Sequence, residues 1–115
     1  MADIDLSIRL DLPSGDRIGP GKVDLLEAIR AQGSISAAAR HLGMSYRRAW
    51  LLVEQINEAL SEPAVATATG EQHGGGAVLT PVGERVIELY RTIEELTRKS
   101  ARQEFRAITK LVRTR

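Results

Sequence analysis

Arg40, Arg47 and Arg48 stand in a stretch with no acid between Glu27 and Glu54. A guanidinium is always charged and offers a planar fork of donors, which fits phosphate oxygens and the guanine edge. Ser34, Ser36, Ser45 and Tyr46 add hydroxyls that can donate to the same acceptors. Other chemistries are poorly supplied. The chain has no cysteine, so disulfides, thiolate metal sites and a cysteine nucleophile are excluded. His41 and His73 form no metal-ligand spacing. Glu94 and Glu95 are adjacent, so on a helix they point about 100° apart and make a poor acid–base pair. Enzymatic activity is not expected.

These residues belong to a chain of 115, with 43% hydrophobic and 27% charged residues. That length bounds it to one domain with a real core. Sixteen Lys and Arg against fifteen Asp and Glu give a net charge of +1, but the distribution is uneven. Asp3, Asp5, Asp11 and Asp16 outweigh Arg9 and Arg17 at the start, whereas from Arg98 to Arg115 the only acid is Glu104. The acid-free window and the basic tail say more about partners than the sum does. No apolar run reaches the ~20 residues of a membrane span, and the first residues lack the pattern of a signal peptide. A cytoplasmic protein with no membrane partner is expected.

Alternation of polar and apolar residues over 5–12 predicts a strand with one buried face, ended by the turn at Pro13, Ser14 and Gly15. Pro20 opens a helix over 20–32, with Val23, Leu26 and Ile29 on its core side and Gly33 at its end. A second helix, capped by Ser34 or Ser36, covers 34–42 and stops at Gly43. Ser45 caps a third over 45–60. Two helices joined by so short a glycine turn, with Ala37, Ala38 and Ala39 where they approach, describe a helix-turn-helix. On the third helix Ala49, Val53, Ile56 and Leu60 share one face, flanked by Leu52. Arg47 falls opposite that face and Arg48 on its shoulder, near the helix start, where a recognition helix meets bases and phosphates. Positive charge there opposes the helix dipole by about 0.3–1 kcal/mol when exposed, which suggests another use. Trp50 and Leu51 lie outside the buried centre.

Residues 64–79 form two β-prone runs about a glycine-rich tip, a wing following the recognition helix. Gly74, Gly75 and Gly76 permit close approach to a groove or phosphate backbone. A phosphate-binding loop is excluded, since no Lys-Ser or Lys-Thr follows the glycines. His73 is either a polar contact to DNA or an exposed loop histidine. The last element, a long helix over 81–110, begins at Thr80 and Pro81 with Glu84 in its first turn. Val86, Leu89, Ile93 and Leu96 keep a 3-4-3 spacing, the seam of a helix that pairs with another. About 30 residues would extend about 45 Å, further than one small domain covers, so homodimerisation is expected through these residues. The basic tail contacts DNA or an acidic partner, or frays. The fold class is mostly α with a small β wing: a winged helix-turn-helix with a short N-terminal strand and a long C-terminal dimerisation helix.

Gly33-Ser34-Ile35-Ser36-Ala37-Ala38-Ala39-Arg40-His41-Leu42 resembles the helix-turn-helix of LysR-type bacterial regulators, as does Leu79-Thr80-Pro81-Val82-Gly83-Glu84 the start of their linker helix. Ser45-Tyr46-Arg47-Arg48-Ala49-Trp50, Ala68-Thr69-Gly70 and Gly74-Gly75-Gly76-Ala77-Val78-Leu79-Thr80 more closely resemble the N-terminal DNA-binding domain of ModE-type molybdate-responsive transcriptional regulators. This resemblance extends over about residues 17–100, in order and spacing. It implies a dimeric winged helix-turn-helix that binds an inverted-repeat operator in double-stranded DNA and represses genes for molybdate uptake or molybdenum enzymes. By position it implies that Ser34 and Ser36 meet phosphates. Ser45, Tyr46, Arg47 and Arg48 would enter the major groove, and Thr69, Gly70, Gln72, His73 and Gly74 would lie in the wing. Trp50 matches a family position that either packs or touches DNA; Arg40 is a phosphate contact on charge and placement.

Two departures from the family limit the transfer. Its molybdate-sensing members carry C-terminal oxyanion-binding domains, and residues 1–115 leave no room for one. The expectation is a single domain without a molybdate-binding domain or cofactor, molybdate entering only through the resemblance, and with sensing left to a separate effector-sensing protein. The wing, with Thr67, Glu71, Gln72 and His73, lacks the basic residues usual in relatives. The acidic start and uncharged wing leave open an alternative, a dimeric winged-helix scaffold for proteins or a regulator of unrelated genes with little intrinsic sequence-specific DNA binding.

Overall fold

Backbone in the computed structural model is described for residues 4–68 and 76–113. A two-residue ribbon comes first, β1 (Leu10–Asp11) paired antiparallel with β2 (Arg17–Ile18). Three helices follow, α1 (Pro20–Gln32), α2 (Ile35–Leu42) and α3 (Tyr46–Ala59). The wing strands β3 (Val65–Thr67) and β4 (Ala77–Leu79) pair antiparallel, Val65 opposite Leu79. The chain ends in α4 (Pro81–Ser100) and α5 (Arg102–Leu111).

Local chemistry explains the helix starts and stops. Ser34 Oγ accepts from the Ala37 amide at 3.0 Å, Ser45 Oγ from Arg48 at 3.1 Å and Thr80 Oγ1 from Gly83 at 3.1 Å. Each satisfies a donor that the first turn would leave orphaned. Gly33 and Gly43 end α1 and α2 in the left-handed region, with φ of 80° and 72°, where a side chain would be strained. Only Gly43, Met44 and the cap Ser45 separate α2 from α3, so the two helices turn sharply against each other.

The core is built around α1, which packs against α2, α3, α4 and β4. Val23, Leu25, Leu26 and Ile29 are essentially inaccessible, and Ala38, Ala39 and Ala49 bring α2 and α3 in close. From α4 come Ile87 and Tyr90, whose hydroxyl donates to the Ile8 carbonyl at 2.6 Å. Burial pushes the Tyr90 phenol pKa up, aided by the nearby Glu94 carboxylate.

Two expectations need correction. The strand expected over 5–12 has a ladder only at Leu10–Asp11. Burial does alternate from Ile4 to Leu12, because Ile8, Leu10 and Leu12 rest on the core. Alternation reports a half-buried extended chain, and strand pairing needs a partner that residues 4–9 do not have among the described residues. The single helix expected over 81–110 is two, interrupted at Ala101, whose φ of −107° and ψ of 21° depart from helical values. Neither Gly nor Pro marks the break. The radius of gyration, 16.7 Å within extents of 55 × 32 × 22 Å, exceeds the roughly 13 Å of a compact chain this long.

Candidate nucleic-acid interface

Ion pairing separates Arg30, Arg85 and Arg91 from the arginines of α2 and α3. Behind the helix-turn-helix these three are paired: Arg30 with Glu84 at 2.8 Å, Arg85 with Glu88, and Arg91 with Asp24, Glu27 and Glu94 at 2.9, 2.7 and 2.8 Å. Arg91 thereby ties α4 to α1, and its guanidinium also stands 5.6 Å from the centre of the Tyr90 ring. Hydrogen bonding to Arg91 holds the Glu27 carboxyl below its ordinary pKa despite partial burial. The same contacts, Glu27 first, raise the pKa of Arg91.

On α2 and α3 the pattern reverses. Arg40, Arg47 and Arg48 are exposed and, among the described residues, form no ion pair. Among the described residues Arg40 donates only to Ser36 Oγ, at 3.0 Å. Ser34, Ser36 and Ser45 each use their oxygen as an acceptor inside the domain, which leaves each O–H free to donate outward. Tyr46 is exposed and meets Trp50 edge to face, ring centres 6.3 Å apart. Trp50 itself is half-buried and rests on the core. Between Arg47, Arg48, Trp50, Leu51 and Glu54 the surface of α3 forms a shallow cleft of about 510 Å³. Opposite it, Ala49, Val53 and Ile56 are buried. Leu51 is exposed beside Arg47, a second apolar group on this face besides Trp50.

The wing is anchored at its base. Asn57, on α3, accepts from the Ala64 and Val65 amides at 2.8 and 3.1 Å and donates to the Val65 carbonyl at 3.2 Å. Its amide thus serves as a short substitute for a neighbouring strand. The Ala77 amide donates to the Gly33 carbonyl at 2.9 Å. Gly83 is required by a close approach, since a Cβ there would stand 2.3 Å from the Ala64 carbonyl oxygen. Sequence reasoning missed Asn57 and Arg91; an amide or arginine among helical surface residues carries no local sign of a distant partner. Of the candidate wing residues, Thr69, Gly70, Gln72, His73 and Gly74 lie outside the described residues.

Val86 packs partly against its own core, while Leu89, Ile93 and Leu96 are 46%, 37% and 60% exposed. The domain contact of α4 uses a different face, that of Gly83, Ile87 and Tyr90. Among the described residues no helix is long and apolar enough to cross a membrane, and no cluster of His and acids could hold a metal ion.

A glycine-turned helix pair, a two-stranded wing and a following long helix define a winged helix-turn-helix domain. Among solved structures the chain is similar to the DNA-binding domain of CbnR in complex with DNA, with a TM-score of 0.58 and 23% identity over 76% of this chain and 95% of that one. That likeness shows the fold. The chain is homologous to the N-terminal region of ModE transcriptional regulators. It is 40% identical over 81 residues to the DNA-binding transcriptional dual regulator ModE of Escherichia coli K12, covering 70% of this chain and 31% of that protein. Over 81 residues it is 52% identical to the molybdenum-pterin-binding protein MopB of Rhodobacter capsulatus, covering 70% of this chain and 30% of that protein. The matched segment thus spans about 30% of the length of these curated relatives, which are named as regulators or molybdenum-pterin-binding proteins and not as enzymes. No protein-family model matches the chain.

Proposed function

We propose that this domain binds duplex DNA in a sequence-specific manner as part of a transcriptional regulator, with α3 in the major groove. The observation that carries the reading is the exposed set Arg40, Arg47 and Arg48, without an ion pair among the described residues, on a domain where Arg85 and Arg91 of α4 are paired with carboxylates. Arg47 or Arg48, placed bidentate on a guanine edge, supplies discrimination of about 1–3 kcal/mol. Leu51 and Trp50 offer apolar contact to a thymine methyl. Arg40 and the hydroxyls of Ser34, Ser36, Ser45 and Tyr46 position the protomer on phosphates without reading sequence. The tip with Thr69, Gly70, Gln72, His73 and Gly74 adds contacts from the wing.

Leu89, Ile93 and Leu96, with Val86 at the edge, form the seam of a homodimer. Two-fold symmetry would set the recognition helices about 34–36 Å apart and favour an inverted repeat. The molybdenum relatives support a link to molybdenum-related genes; the role we assign is repression of genes of molybdate uptake or molybdenum enzymes, with the effector sensed by a separate protein and no cofactor held by residues 1–115. Selection of bound duplex from a random pool, followed by affinity measurements on Arg47→Ala and Arg48→Ala, tests the reading. Enrichment of an inverted repeat and loss of about tenfold or more by at least one variant is expected. Unchanged affinity and unchanged preference in both variants would remove α3 as the reading element.

A further inference from the structure

A second cleft lies on the flank of α3, outside the surface that carries Arg47 and Trp50. It has a volume of about 340 Å³ and lies between Ser7, Arg9, Arg17, Lys22, Arg48 and the Gly19 start of α1. Four cations line it and no carboxylate does. Arg9 is neutralised by Asp11, 2.9 Å away. Arg17 and Arg48 form no ion pair among the described residues, and the Lys22 ammonium donates only to the Arg17 carbonyl, at 2.7 Å.

The arrangement is held in place by the fold. Arg17 is opposite Asp11 in the β1–β2 register, and its neighbour Ile18 is buried in the core. The short ribbon therefore sets the Arg17 side chain beside α3. At the start of α1 no side chain caps the free amides and no acid occupies the first turn. Like charges gathered in this way repel one another in the free domain, and an anion would relieve that repulsion. The cleft shares Arg48 with the reading surface of α3. A helix seated in the major groove has a phosphate backbone along its flanks, and this cleft opens on one flank.

We propose that the cleft receives a backbone phosphate of the duplex that α3 reads, with Arg17 and Lys22 as positioning contacts that hold α3 in register. The proposal rests on the DNA-binding reading above and extends the interface from the helix-turn-helix to the N-terminal ribbon. Such contacts add affinity and salt dependence without sequence preference.

The test uses the full chain and the double variant Arg17→Gln, Lys22→Gln, with a random-sequence duplex and a duplex enriched from a random pool, across a salt series. Binding to both duplexes is expected to weaken by the same factor. The slope of log affinity against log salt should fall by about 1, for the one phosphate left without its cations. Arg17→Lys, which keeps the charge, should retain the wild-type slope, and circular dichroism checks that each variant is folded. An unchanged affinity and slope in the double variant, while Arg47→Ala binds more weakly, overturns the cleft and leaves the DNA reading standing. A wild-type chain that binds neither duplex at low salt overturns both. Inorganic phosphate, titrated while the Gly21 and Lys22 amide signals are followed, separates the two sources of the anion. Saturation by free phosphate, with duplex binding indifferent to the double variant, would make this a free-anion site and sink the proposal.

Discussion

At the start of α4, Thr80 caps the helix and Glu84 stands in its first turn, while Arg98 and Lys99 occupy the last. At the start of α3, Ser45 caps in the same way, yet Arg47 and Arg48 follow with no acid in the first turn. The first helix obeys its dipole at both ends; the second opposes it at the end nearest the helix-turn-helix. Arg91 and the two arginines at the start of α3 differ in the same sense. Arg91 on α4 holds three carboxylates, whereas Arg47 and Arg48 hold none among the described residues. Such departures from local electrostatic rules are expected at functional sites.

The largest effect on this comparison should come from Gly83→Ala. A methyl group 2.3 Å from the Ala64 carbonyl forces α4 away from the base of the wing and costs about 3 kcal/mol of unfolding stability. Denaturant titration measures it, and a loss well below 1 kcal/mol would mean that α4 is less firmly seated than its contacts imply. DNA affinity should also fall, because the wing loses its anchor.

Arg91→Ala comes next. It leaves Asp24, Glu27 and Glu94 facing one another without their cation, and should cost about 1–2 kcal/mol, discounted for a guanidinium that is 35% exposed. The pH dependence follows from the lowered pKa of Glu27, whose chief cause is the hydrogen bond from Arg91. A carboxylate held below its unfolded pKa stabilises the fold above that unfolded value. The contribution is lost as pH falls through the lower, folded value. Acid titration of stability should therefore be shallower in Arg91→Ala than in the wild type. Equal pH dependence in the two proteins would show that the α1–α4 tie does not contribute through Glu27.

The smallest effect has the opposite sign. Arg48→Gln removes a cation from the N-terminal turn of α3 and should raise stability by about 0.3–1 kcal/mol, while DNA binding weakens. A thermal melt paired with a binding isotherm measures both. Loss of stability together with loss of binding would make Arg48 an ordinary structural residue and erase the contrast between the two helix starts.

The helix-turn-helix was legible because its signals are local. Ser34, Ser45 and Thr80 each cap within three residues, and Gly33 and Gly43 stop helices through their own backbone angles. The exposure of Arg47 follows from the apolar face opposite it, so the candidate reading surface could be placed from periodicity. The N-terminal ribbon was only half legible: alternation marks Ile8, Leu10 and Leu12 as inward, but it does not say whether another strand lies alongside. The break at Ala101 had no sequence mark.

Side-chain partners distant in sequence could not be read in this way. Asn57 meets Ala64 and Val65 across the turn into the wing, Tyr90 reaches back to Ile8, and Arg91 gathers acids from α1. The chain's local chemistry specifies where helices begin, which faces turn inward and where charge is left on the surface, because those depend on neighbours three or four residues away. Which arginines are neutralised, how the wing is held and where a basic cleft forms beside α3 depend on segments brought together by packing. Identical guanidinium groups thus become a structural tie at Arg91 and, at Arg47, an exposed group with no ion pair among the described residues, according to what the fold places beside them.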